Sequence, residues 1–181
     1  MSLVVALLRG VNVGGRARLP MAELRTTLSN LGFKDVRTYL QSGNVVLDPG
    51  GRHLQDLPDA LQIAIAEGFG LEIRVIVRIR EDLAAVTTSH PFLDGEPDRS
   101  RLHVVFLEGT PDAVKIAGLD PDRSPPDRFE VEGREIYLSY PNGQGRSKLS
   151  LDYFERVLGM AGTARNSNTV TKLLEMVSRD T

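Results

Sequence analysis

A chain of 181 residues with 41% hydrophobic and 25% charged side chains can bury a sizeable core, as one large domain or as two small ones sharing a core. Its 24 acidic and 22 basic residues leave a net charge of −2, which excludes a uniformly basic nucleic-acid coat protein but not a local basic patch. Cysteine is absent, so disulfides, thiol nucleophiles and zinc–thiolate centres are excluded, and a cytoplasmic location is expected.

Leu3 to Leu8 is a continuous apolar run ending at Arg9-Gly10, the pattern of a strand buried on both faces. No basic segment precedes it and no small-residue cleavage site follows, so it does not read as a signal peptide. No apolar stretch approaches the roughly 20 residues that span a bilayer, and no membrane partner is expected. Residues 10–18 are a glycine-rich loop. Pro20 suits the start of a helix carrying Met21, Leu24, Leu28 and Leu31, which Gly32 ends. Val36 to Leu40 and Val45 to Leu47 predict a hairpin around Gln41-Ser42-Gly43-Asn44. Leu54, Leu57, Leu61, Ile65 and Phe69 predict a second helix, with Pro58 in its first turn. Ile73, Val75, Val77 and Ile79 then alternate with more polar positions, a strand with one wetter face.

That order, β-α-β-β-α-β, is the ferredoxin-like split arrangement. After a short helix over Glu81 to Thr88 and a polar connection from Asp94 to Arg101, the pattern restarts. Leu102 to Gly109 lines up with Leu3 to Gly10, each an apolar strand closed by a charge and a glycine. Phe129–Val131 and Ile136–Tyr140 predict a strand pair, and Ile136-Tyr137-Leu138 matches Thr38-Tyr39-Leu40. Two matches in the same order predict an internal duplication. Helices are expected over Lys148–Leu158 and Asn168–Val177, with no closing strand. The expected fold is therefore α+β: two ferredoxin-like halves, βαββαβ over residues 1–80 and βαββαα over residues 81–181, tied by a C-terminal helix.

Three basic, donor-rich turns lead into helices. The first carries Arg9, Asn12, Gly14, Gly15, Arg16 and Arg18; a strand, a glycine-rich loop and a helix in succession present backbone N–H groups to an anion. It is neither a Walker loop nor a dinucleotide fingerprint, and its glycines can equally serve a tight turn. The second is Gly143 to Lys148, where Ser147 is a candidate N-cap and Lys148 a candidate charge. In the third, Thr163 to Thr169, capping by Ser167 or Asn168 accounts for less of Arg165 and Asn166. His53, His90 and His103 lack metal-ligand spacing, so no metal and no cofactor is expected. Thr169-x-x-Lys172 imitates a reactive dyad on what reads as a solvated helix face. Asp94, Glu96 and Asp98 read as a wet acidic loop. Tyr39, Tyr137 and Tyr140 read as core rather than as stacking platforms, because no RNP-type motif accompanies them.

Ala6 to Gly15 (ALLRGVNVGG), Thr38 to Val45 (TYLQSGNV), Ser147-Lys148-Leu149 and Thr163 to Val170 (TARNSNTV) together resemble the bacterial family known as domain of unknown function 1697. The resemblance runs along essentially the whole chain. It implies two ferredoxin-like subdomains and no assigned activity; the family usually has tryptophan where Ser167 stands. The motif positions coincide with the three turns. They nominate Arg9, Asn12, Gly14, Gly15, Arg16, Gln41, Asn44, Lys148, Arg165, Asn166 and Asn168 as a shared ligand site. The expected partner is a phosphate-bearing small molecule or a nucleic-acid end. The rival readings are an enzyme acting on a phosphoester through Ser147 or Lys148, and a non-catalytic interaction module.

Overall fold

The structure, a computed structural model, describes residues 2–178. Its elements in chain order are β1 (Val4–Leu8), α1 (Met21–Asn30), β2 (Lys34–Tyr39), β3 (Asn44–Asp48), α2 (Leu57–Phe69), β4 (Val75–Ile79), α3 (Arg80–Thr88), β5 (Leu102–Leu107), α4 (Ala113–Ala117), β6 (Arg128–Glu132), β7 (Glu135–Ser139), α5 (Leu151–Leu158), β8 (Gly162–Asn166) and α6 (Ser167–Ser178). The chain divides into one unit of residues 1–84 with 172–181 and another of Ala85–Thr171.

In the first unit the unbroken apolar run makes β1 a central strand, because only a strand covered on both faces can hide every side chain. The sheet order is β2-β3-β1-β4, all antiparallel. Met21, Leu24 and Leu28 of α1 and Leu57, Leu61 and Ile65 of α2 recur at helical spacing. They meet Val4, Ala6, Leu8, Val45 and Leu47 in one core. The alternation in β4 predicts a wetter face, yet Ile76 and Arg78 are buried, Arg78 to 2% exposure. Period two separates the faces correctly, but a sheet with both faces covered has no wet one.

The second unit repeats this plan with sheet order β6-β7-β5-β8. Its core joins Val105, Leu107, Ile136, Leu138 and Tyr140 to Tyr153, Phe154 and Leu158 of α5. The expectation of a βαββαα half without a closing strand is corrected by β8, which pairs antiparallel with β5 from His103↔Asn166 to Leu107↔Gly162. Gly162-Thr-Ala-Arg-Asn166 has one β-branched residue and no apolar alternation. Its strand state comes from the β5 ladder and from burial of Thr163 and Arg165, not from local propensity.

Register aligns the units residue by residue. Leu8 N–H donates to Gly43 O at 2.8 Å, and Leu107 N–H to Arg134 O at 2.9 Å. Arg9 N–H donates to Arg74 O, and Glu108 N–H to Ala161 O. Val75 N–H, at the outer edge of β4, is held by Gln62 Oε1 at 3.0 Å; Gly162 N–H, at the start of β8, is held by Glu155 Oε1 at 2.9 Å. Arg78 donates to Val77 O and Arg165 to Ala164 O, and the two arginines stand opposite Val5 and Val104. The pairing of Leu3–Gly10 with Leu102–Gly109 is thus correct in register. The second match is not: Ile136-Tyr137-Leu138 corresponds to Val45-Val46-Leu47 of β3, since both segments pair the central strand at the same positions. A three-residue match cannot tell the two strands of one hairpin apart.

Candidate functional site

The glycine-rich loop between β1 and α1 is a small hairpin. Val13 and Arg16 form an antiparallel bridge, with Arg16 N–H donating to Val13 O at 3.2 Å. Gly14 and Gly15 take φ of 60° and 74°, two consecutive left-handed residues as a type I′ turn requires. Asn12 N–H then donates to Ala17 O at 3.1 Å. The Asn12 side chain closes the base: Nδ2 donates to Leu19 O at 2.9 Å, and Oδ1 accepts Leu19 N–H at 2.9 Å. The same Nδ2 donates to Gln41 O at 2.6 Å, tying this finger to the β2–β3 turn.

Val13 (59%) and Leu40 (53%) are strongly exposed apolar residues in these joined loops, and Gly14, Gly15, Arg16, Arg18 and Gln41 are exposed beside them. The turn's own bond uses the N–H of Arg16, which leaves those of Gly14 and Gly15 at the tip. Among the described residues no side chain engages the guanidinium of Arg16 or Arg18. Asn12 (φ 53°), Ala17 (44°) and Leu40 (59°) take the left-handed conformation without being glycine. Asp35 is the fourth such residue described, so the strained positions gather here.

The other nominated residues have structural work. Arg9 is half-buried and its N–H donates to Arg74 O, just before β4. Asn44 is fully buried and donates to Tyr39 O at 2.8 Å and Ser42 Oγ at 3.2 Å. Arg165 is 7% exposed and donates to Thr163 Oγ1 and Ala164 O, both at 2.7 Å; desolvation pulls its pKa down to about 10, so it keeps its charge at neutral pH. Asn166 caps α6, its Oδ1 accepting Asn168 N–H at 2.8 Å, and its Nδ2 donates to Ser100 O at 3.1 Å. Capping therefore explains Asn166, which sequence reasoning had set apart from it, while Asn168 is exposed within the helix's first turn.

Ser147 does not cap α5. Lys148 N–H donates to Ser124 Oγ, and Lys148 O accepts Arg123 Nε, which holds the chain extended until Ser150 caps the helix at Tyr153 N–H. The Lys148 side chain is exposed. Lys172 pairs with Glu175 at 3.0 Å on a helix face, in line with a solvated role. Glu96 is buried and accepts Asp98 N–H, so the acidic loop is not uniformly wet. Tyr137 and Tyr140 are core residues; burial pushes the Tyr137 hydroxyl pKa up to about 12, and Tyr140 OH donates to Leu149 O.

Among the concave features that sequence reasoning passed over is a shallow groove of about 460 Å³ lined by Gln62, Ile63, Ala66, Glu72, Ile73 and Arg74. It has one acidic and one basic wall, and no motif marks it. Leu40 was also missed as a surface feature, because a leucine at the end of a strand pattern reads as core.

A family model described as "Protein of unknown function (DUF1697)" matches residues 1–137, and the chain belongs to that family. Among solved structures it is similar to the conserved bacterial protein SP0830 from Streptococcus pneumoniae, at 22% identity and a TM-score of 0.75, over 98% of this chain and 99% of that one. At that identity the likeness shows a shared fold. No curated protein matches the chain. No described helix is long and apolar enough to cross a membrane.

Proposed function

We propose that this chain binds a phosphate-bearing ligand through the finger of residues 12–18. The observation that carries the reading is a difference between two otherwise matching units. Residues 108–112 take the second unit directly from β5 to α4, whereas residues 9–20 of the first build an exposed hairpin carrying Arg16 and Arg18, whose guanidiniums no described side chain engages. The scaffold does not require the hairpin, since the second unit forms the same sheet without one. The chemistry suits an anion: N–H groups at a glycine tip, flanked by guanidiniums that offer paired donors to phosphate oxygens. Asn12 sets the finger's base and Gln41 stands beside it. The repeated hydrogen bonds support descent of both units from one duplicated ancestor, with the finger particular to the first. The cysteine-free composition supports a cytoplasmic setting.

Thermal-shift titration with inorganic pyrophosphate and nucleoside di- and triphosphates tests the reading. Melting temperature rises with ligand concentration for the unaltered chain, and the rise disappears in an Arg16→Ala/Arg18→Ala variant. Without ligand that variant keeps its stability within about 0.5 kcal/mol, as surface substitutions do. An equal rise in the unaltered chain and the variant refutes it, as does no rise with these ligands together with no binding of a nucleic-acid duplex.

A further inference from the structure

Resting on that reading, we infer that the ligand is a nucleic-acid duplex, gripped at its phosphate backbone, rather than a free nucleotide. Shape argues first. A site for a small molecule encloses most of its surface, whereas the finger is a projection whose tip, Val13 to Arg16, is exposed throughout. A projection of two short strands contacts a partner larger than itself. Duplex grooves admit a two-stranded ribbon, and minor-groove binders set cationic side chains beside an apolar wedge.

The finger and the joined turn have both parts. Arg16 and Arg18 carry charge that no described side chain neutralises, and Val13 and Leu40 present apolar surface next to it. The Asn12–Gln41 bond holds the two loops as one body, which lowers the ordering cost on binding. Single-strand binding relies on aromatic platforms, and Tyr137 and Tyr140 are buried, as are the outward positions Val5, Leu7, Val104 and Phe106 of the central strands. Phosphate contacts carry no sequence information, so binding is indifferent to sequence. With a net charge of −2 on the whole protein, attraction is local and falls steeply with salt.

Fluorescence anisotropy of labelled 16-base-pair DNA and RNA duplexes (a length of about one dsRNA-module footprint), the matching single strands and labelled ATP tests this across a salt series. The expected result is duplex binding tighter than single-strand binding. The Arg16→Ala/Arg18→Ala variant weakens it at least about tenfold at low salt. It also flattens the slope of log affinity against log salt by about 1.8, the value for two lost duplex phosphate contacts. An Arg16→Lys/Arg18→Lys variant retains most of the slope, since charge is kept, and circular dichroism verifies that each variant is folded. The DNA and RNA arms identify which duplex is preferred. Duplex binding that the alanine variant leaves unchanged, or tighter binding to single strands, overturns the inference. ATP binding that needs both arginines, without duplex binding, overturns it and leaves the broader phosphate reading standing. Binding of nothing removes both.

Discussion

At Gly43 an added Cβ would strike Val11 Cγ2 and stand 2.7 Å from Leu8 Cβ, in a backbone already at φ 83°. Gly43→Ala should cost about 2–4 kcal/mol, strain and overpacking together, read as a lower denaturant midpoint at constant slope. Asn12→Ala removes the three bonds that close the finger and join it to Gln41. A loss of about 1–3 kcal/mol is expected, with faster amide exchange at Leu19 and at position 12 itself, whose N–H donates to Ala17 O, as its signature. His90 answers to pH. Its Nδ1 accepts Phe92 N–H at 3.3 Å, so the proton sits on Nε2, which faces His103 O at 3.2 Å. Desolvation lowers the pKa of His90, and likewise that of His103. The folded pKa values lie below 6.5, so the unfolded chain takes up these protons first as pH falls. Their contribution is intact above pH 6.5 and is lost between there and the lower folded values. Melting temperature should drop from pH 7.5 to 5.5, and less so in His90→Gln. An unchanged drop in that variant counts against His90 as a source.

The finger and β8 show at the level of elements what a sequence conveys. Gly14-Gly15 between Val13 and Arg16 is a legible tight turn, because consecutive left-handed residues are affordable for glycine. That Asn12, Asn44 and Asn166 satisfy backbone groups was not legible. An asparagine that clamps a loop and one that orients a ligand are the same letter in the same kind of loop. Only the positions of Leu19 O, Tyr39 O and Asn168 N–H separate the roles. β8 was illegible for another reason: its strand state is set by β5 beside it, a partner more than fifty residues earlier in the chain. By contrast β1 announces itself by its unbroken apolar run, and α1 and α2 by periodic apolar stripes that have to face a core.

For the whole molecule, the ferredoxin-like order of the first half was readable from periodicity, and the sheet order β2-β3-β1-β4 agrees with it, within a fold shared with the pneumococcal protein. The second half was readable up to its last strand. A fold retained at 22% identity fixes where strands and helices run and leaves the connections free to differ. The function proposed here is placed in what one unit has and its counterpart lacks, the finger of residues 12–18. The most direct test is a ¹⁵N-resolved NMR titration of the intact protein with pyrophosphate and then with a DNA duplex. The account predicts that the amide signals of Gly14, Gly15 and Arg16 move first and furthest, with Gln41 following. Movement centred instead on Gln62, Glu72 and Arg74, with the finger signals still, would contradict it.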